Sequence, residues 1–427
     1  MSIWRSMRNQ QDNEGGPPMT RTTPRTLLPV LVLLGTACET GEDSSDEALH
    51  ATVRDSAGVT IVDTEPPPLG TRLAWQIGTQ PSLSIGAIDS GEADQLFRVT
   101  DATRLSDGRI AIANSGSNEI RVFNPDGSHA ATWGGRGEGP GEFTSYSPTA
   151  VALWPGDSIA APNPWGGRLS LFDANGNHGR DVRLSPPLMD IVDLLPGGRI
   201  FAKASSGLRP DATGSSGLVR IGDEWGILAA DGTQQASLGE HPGVEWWAIF
   251  DSDGSIQGGR PHPYGRSTMG AVWGDLVAVG DSERYEIRAF SADGTLVRIV
   301  RREGELDGPS RADLDAYHAR RYADMPDEER TQALDQVRDM PLVETYPAFA
   351  AIMSDRAGYL WVREYWAPDA EGPVWAVFDP DGQLQGLVET PSGLRLFEIG
   401  DDYLLGWAYD ELQVEHVQIW PLSRTPA

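Results

Sequence analysis

The chain has little of what several specialised classes of protein require. It holds one cysteine, Cys38, and one lysine, Lys203; arginine makes up the rest of its 34 basic residues, against 62 acidic ones. A single cysteine rules out a disulfide framework, and with only seven histidines it rules out a zinc ribbon. A formal charge of −28 leaves no basic stripe to displace counterions from nucleic acid. It equally leaves no polybasic patch for anionic lipid. Long apolar runs are scarce too, and none after residue 50 could cross a bilayer. Turn formers are abundant instead, with 49 glycines and 31 prolines, yet 39% apolar residues suffice for a core in 427 residues.

Residues 1–18 are polar and patternless, an upstream extension before a start at Met19. From there Arg21 and Arg25 precede the apolar run Leu27 to Leu34, then Gly35-Thr36-Ala37-Cys38. This order of charge, short apolar stretch and small residues before a cysteine resembles a bacterial lipoprotein signal. The resemblance implies removal of residues 19–37, lipid on Cys38, and a protein held on the extracytoplasmic side of a bacterial membrane. An ordinary secretory signal with an incidental cysteine is the plainer alternative. Residues 38–52 read as an acidic, Ser-rich tether.

The rest of the chain repeats. Phe123-Asn124-Pro125-Asp126-Gly127 recurs as Phe172-Asp173-Ala174-Asn175-Gly176 and Leu228-Ala229-Ala230-Asp231-Gly232, then at Phe290–Gly294 and Phe378–Gly382. Asp-Gly and Asn-Gly supply the positive φ angles that tight hairpins demand. The turn glycines stand 49, 56, 62 and 88 residues apart, the period of a four-stranded unit with insertions. Alternation such as Glu119-Ile120-Arg121-Val122-Phe123 marks strands. A last unit has three strands, and the segment around Leu73-Ala74-Trp75-Gln76-Ile77 is expected to supply its fourth. The expected fold is therefore all-β, a six-bladed β-propeller over residues 53–422 followed by a tail at 423–427. The long spacing predicts a helical insertion at 308–340 between blades 4 and 5. Within it Ser310-Arg311-Ala312-Asp313 forms a capping-box pattern, and Pro326-Asp327-Glu328-Glu329 opens a second helix. Such a hairpin is expected to cover part of the channel mouth, unless it is a solvated excursion without a role.

Asn114 to Phe123 is similar to the core of an NHL repeat, and Gly134-Gly135-Arg136-Gly137-Glu138-Gly139-Pro140-Gly141-Glu142-Phe143 to the glycine-rich passage between its blades. Arg54 to Val62 resembles the entry segment of bacterial six-bladed propeller lipoproteins. The glycine run is expected to be an inter-blade turn leading into a strand from Phe143 to Leu153, since a phosphate loop would need a helix there.

Candidate chemistry is thin. No Ser-His-Asp, Cys-His or His-Glu-x-x-His arrangement is readable. Asn114, Asn118, Asn163, Asp281, Glu283 and Glu364 fall in loops where propeller hydrolases hold a divalent cation, so an oxygen cage for Ca²⁺ is one reading and turn capping the other. Trp165, Trp246, Trp247, Tyr365 and Trp366 are expected in loops, either as a glycan- or peptide-binding surface or as packing between blades. His262, Tyr264 and Arg266 lie where the chain enters the fourth blade; Arg266 is suited to a ligand carboxylate or to an acidic neighbour. The expected function is binding of a ligand or of a protein, peptide or glycan partner on the channel face, as a monomer and without catalysis. A lactonase-like hydrolase or lyase with a channel cation is the alternative.

Overall fold

The computed structural model describes residues 51–424 except 69–70, 88–90, 186–189, 208–216, 251–255 and 366–369. Cys38, the signal and all but the end of the tether lie outside the described residues, as does Trp366. The described residues form six sheets, each built on a meander of consecutive antiparallel strands. In chain order they are sheet I (99–134), II (152–183), III (190–261), IV (268–302), V (349–389) and VI (395–423). The fold is all-β and propeller-like.

Apolar side chains are divided among the seams between sheets. One cluster joins sheets I and II, the next II and III, then III and IV, IV and V, V and VI, and the last returns from VI to I. Ile110, Ile112, Ile120 and Phe123 are wholly buried, each contributing roughly 1.5–3 kcal/mol by leaving water. The repeated turn glycines explain the spacing of the seams. All five have φ between +84° and +88°, and each rests on the preceding sheet. At Gly176 an added Cβ would stand 2.1 Å from the Trp133 indole. Only a residue without a side chain meets both conditions.

Carboxylates also fasten neighbouring sheets. Asp101 Oδ2 accepts the Val151 N–H at 3.0 Å, just ahead of the first strand of sheet II. Asp193 of sheet III accepts the Val272 N–H of sheet IV at 3.0 Å, and Glu398 of sheet VI accepts the Thr103 hydroxyl of sheet I at 2.6 Å. All three sit at register shifts in the first strands of their sheets, where a bulge turns the side chain toward its neighbour.

Three expectations need correction. The outer partner of the last strand of sheet VI is chiefly Leu83–Ile85, with Gln76–Ile77 adding a short pairing near its end. Pro81 separates the two pieces, and Ile85 reaches the seam with sheet I. The segment from Phe143 to Leu153 is mostly loop, and strand begins only at Ala152, because Tyr146 takes a positive φ and Pro148 has no N–H to donate. Trp246 and Trp247 lie on the strand Gln234–Phe250 and are both buried. The entry segment is a hairpin, Ala51–Ser56 and Val59–Thr64, whose second strand runs parallel to Leu296–Arg302 and widens sheet IV.

Between sheets IV and V stand two helices, Arg311–Arg321 and Asp327–Val337. The first carries a complete capping box: Asp313 N–H donates to Ser310 Oγ and Ser310 N–H to Asp313 Oδ2.

Candidate functional site

The first strands of five sheets, with the segment leading into sheet II, surround a cavity of about 1460 Å³. The wall is formed by Thr100 and Asp101 (I), Val192 (III), Met269 (IV), Ile352 (V) and Leu396 (VI), with Thr149 and Ala150 just ahead of sheet II. The same cavity is lined by Tyr317, His318, Arg321 and Tyr322 from the end of the first helix, and by Ala333 and Gln336 of the second.

These helices are held by a separate apolar cluster. Leu314, Val337, Met340 and Val343 pack on Trp247 and Tyr264, with Tyr317, Tyr322, Tyr346 and Tyr365 around them. Sheet III makes this possible. Its strands Gly217–Leu228 and Gln234–Phe250 are far longer than those of the other sheets, and a fifth strand, Ile256–Pro261, pairs beside them.

Several residues singled out in the sequence meet here. Tyr264, 2% exposed, donates its hydroxyl to the Asp313 carbonyl at 3.0 Å and sets its ring edge-on to Tyr346 and Tyr317. His262 Nδ1 accepts the Tyr264 N–H, which leaves Nε2–H to donate to the Pro341 carbonyl at 3.0 Å. Burial holds its pKa below the usual value, although Pro341 and Glu245 oppose this. Tyr365 stacks obliquely on Tyr346, and both Tyr365 and His262 line the cavity. Arg266 takes the acidic-neighbour option: it grips the buried Glu245 through Nε and Nη2, at 3.1 and 2.7 Å, and approaches Glu283 at 3.6 Å. Burial would raise the Glu245 carboxyl, but the Arg266 hydrogen bonds outweigh it and hold the pKa low. Asp281 receives both terminal nitrogens of Arg220 at 2.9 Å.

Asn114, Asn118 and Asn163 are elsewhere, tying loops between sheets I and II. Asn114 accepts the Phe97 N–H and donates to Ser117, while Asn118 donates to the Thr144 and Ser147 carbonyls. Asn163 accepts from Thr144 Oγ1 and caps a short turn through Gly166 N–H; Trp165, on that turn, is 55% exposed. None of these four lines the cavity. Glu364 does, but both its oxygens are taken by Arg302, at 2.6 and 2.5 Å. The donors expected to form an oxygen cage are thus dispersed and already engaged. Among the described residues no three of His, Cys, Asp and Glu cluster as a metal site.

The cavity wall reverses the charge balance of the chain. Lys203, Arg260, Arg321, Arg363 and Arg395 face three carboxylates, Asp101, Glu364 and Glu371. Burial pushes the Asp101 carboxyl up to about 7 despite N–H donation from Val151 and Ala102. His318 is driven down to about 4 by burial and by nearby Arg260 and His262. Asp101, Arg260 and His318 escaped sequence reasoning. An acid inside an apolar inner strand, as at Asp101 and Asp193, was the one available signal.

No curated protein matches the chain. Residues 356–376 match the WXXGXW repeat, in two copies. There Trp361 and Trp375 meet at 6.4 Å, each indole N–H satisfied, by Asp355 and Thr390 respectively. Among solved structures, an exported protein from Bacteroides fragilis is 13% identical, covering 85% of this chain and 99% of its own, with a TM-score of 0.46. A Bacteroides vulgatus protein of the DUF4221 family is 12% identical, covering 82% and 99%, with a TM-score of 0.46. A gluconolactonase from Xanthomonas campestris is 13% identical, covering 82% and 100%, with a TM-score of 0.39.

Proposed function

We propose that the chain is a six-bladed β-propeller, one blade per sheet, that binds a ligand in its axial cavity under a lid formed by the helical insertion between blades 4 and 5. One observation carries this reading: five of the six sheets, the segment leading into sheet II and both helices contribute to the wall of a single cavity. Six seams that return to their starting sheet support a cavity on the axis of a closed ring. The tyrosine cluster between lid and ring gives a ligand or peptide an aromatic surface. Binding without turnover is favoured over a cation-dependent hydrolase, because Asp281 and Glu364 are each saturated by an arginine. The chain works as a monomer, tethered through lipid on Cys38 to the extracytoplasmic side of a bacterial membrane. Each buried methylene of that lipid contributes about 0.8 kcal/mol.

The lid is tested by replacing residues 309–339 with a short Gly-Ser linker and titrating the uncharged fluorophore N-phenyl-1-naphthylamine. Retained far-UV circular dichroism with altered affinity or binding rate supports the reading; identical binding contradicts it. For the tether, Cys38→Ser should move the protein from the membrane to the soluble fraction. Unchanged detergent partitioning would remove the lipid from the account.

A further inference from the structure

The charge of the cavity wall says more about what enters it. In a chain with nearly two acidic residues for every basic one, basic side chains outnumber acidic ones around this cavity. Two of the three acids there contribute little negative potential, and the third, Glu371, is exposed to solvent. Glu364 is neutralised by Arg302, and Asp101 is held by two backbone N–H groups in a buried setting that favours its protonated form. Lys203 is matched by Asp223 at 3.0 Å. Arg260 differs. Among the described residues its hydrogen-bond partners are neutral, the Tyr322 hydroxyl and the Gln336 side-chain carbonyl, each at 3.3 Å. Tyr322 closes the first helix and Gln336 belongs to the second, so Arg260 is the point where the ring carries a positive charge up to both helices. Arg321 lines the cavity beside it. The wall also carries partly exposed apolar side chains, among them Met269, Met353, Phe397 and Trp407.

We infer that the cavity takes an amphipathic organic anion, one oxyacid group held at Arg260 and Arg321 and an apolar body lying along the channel between the inner strands. This rests on the ligand-binding reading and gives it a chemical class. A guanidinium held by neutral acceptors keeps its full charge and can exchange a 3.3 Å contact for a shorter, charge-assisted one. Because Arg260 spans both helices, the bound anion also fastens the lid. The depressed pKa of His318 agrees with a positive field at that spot.

The probes are 8-anilinonaphthalene-1-sulfonate, an amphipathic anion, and N-phenyl-1-naphthylamine, its uncharged relative, with dodecanoate and dodecanol as competitors. The anion should bind more tightly, lose affinity as salt rises, and be displaced by dodecanoate in preference to dodecanol. Arg260→Gln should weaken the anion about tenfold, as expected for loss of one charge-assisted hydrogen bond, and leave the neutral probe unchanged. Arg321→Gln, at an exposed helix position, should act in the same direction if Arg260→Gln fails to fold. Equal binding of both probes, unaffected by either variant, would overturn the anion inference and leave the cavity reading standing. Binding of neither probe would overturn both.

Discussion

The ring and the lid are held together by different means. In the ring, apolar seams carry the packing, and several buried charges are paired: Arg302 with Glu364, Arg266 with Glu245, Arg424 with Asp355. In the lid, polar aromatics carry it. Tyr264, Tyr317, Tyr322, Tyr346 and Tyr365 surround a small core of Leu314, Val337 and Met340, and Arg260 beside them leans on neutral partners. A ring built this way is rigid, because unpairing a buried charge is expensive. Helices held this way would give up only a few modest contacts on opening, as the proposed lid requires. The contrast can be tested from either side.

The largest effect is expected at the seam between sheets IV and V. The Arg302 and Glu364 side chains are only 13% and 12% exposed, Tyr285 hydrogen-bonds to Glu364, and the guanidinium lies 3.8 Å over the Tyr285 ring. Glu364→Gln leaves a buried guanidinium without its counter-charge, and urea unfolding should show a loss of about 3–5 kcal/mol. A loss below about 1 kcal/mol, the range of exposed pairs, would mean the ring does not depend on matched charge. A second pair of variants asks whether sheet contact or turn geometry makes the repeated glycine necessary. Gly176 and Gly197 have nearly equal φ, +84° and +82°, but an added Cβ meets the Trp133 indole only at Gly176; at Gly197 nothing lies within 4 Å. Alanine at either should cost about 1–2 kcal/mol of backbone strain, and at Gly176 about 1–3 kcal/mol more for overpacking. Equal losses would assign the glycine to the turn alone.

The ring was largely legible in the sequence for the reason those variants probe. Each sheet must turn at the same place and meet its neighbour closely, so Asp-Gly and Asn-Gly return at intervals that survive insertions. The first helix was legible through its capping box, which is a local device. What the sequence hid was whatever depends on distant pairing. Asp281 and Glu364 look like free loop oxygens until Arg220 and Arg302, 61 and 62 residues away, close on them. The long strands of sheet III hid Trp246 and Trp247, because both are buried, Trp247 in the cluster that holds the helices, and the alternation that marks a half-exposed strand is lost. Asp101 reads as the polar half of such an alternation, whereas the bulge at Val99 and Asp101 turns it into the next sheet.

Asp101 also gives the comparison a pH axis. Its pKa is about 7 in the folded protein against an ordinary 3.8. Between those values the native state holds a proton that the unfolded chain has released, so this group lowers stability as pH rises from about 4 to 7 and adds no further change above. Asp101→Asn removes that titration. The stability difference between the natural protein and the variant, from urea midpoints at pH 4.5 and 7.5, should shift against the natural protein by at least about 1 kcal/mol. Parallel curves would mean that Asp101 stays ionised and that its N–H donors, not burial, set its state.

The smallest expected effect falls on the lid. Tyr264→Phe removes the hydroxyl that donates to the Asp313 carbonyl, and leaves the ring edge-on to Tyr346 and Tyr317. One neutral hydrogen bond contributes about 1 kcal/mol, too little to register clearly in global unfolding of a chain this size. It should register locally. If the first helix opens without the ring, amide exchange across Arg311–Arg321 should quicken about fivefold, while Ile110–Asn114 in sheet I exchanges as before. The anionic probe should dissociate faster by a similar factor, because Tyr264 seats the helix that brings Tyr322 to Arg260. Faster exchange in sheet I as well would show that lid and ring open as one unit. In that case the helices are part of the ring's own stability, and a ligand reaches the cavity by some route other than their movement.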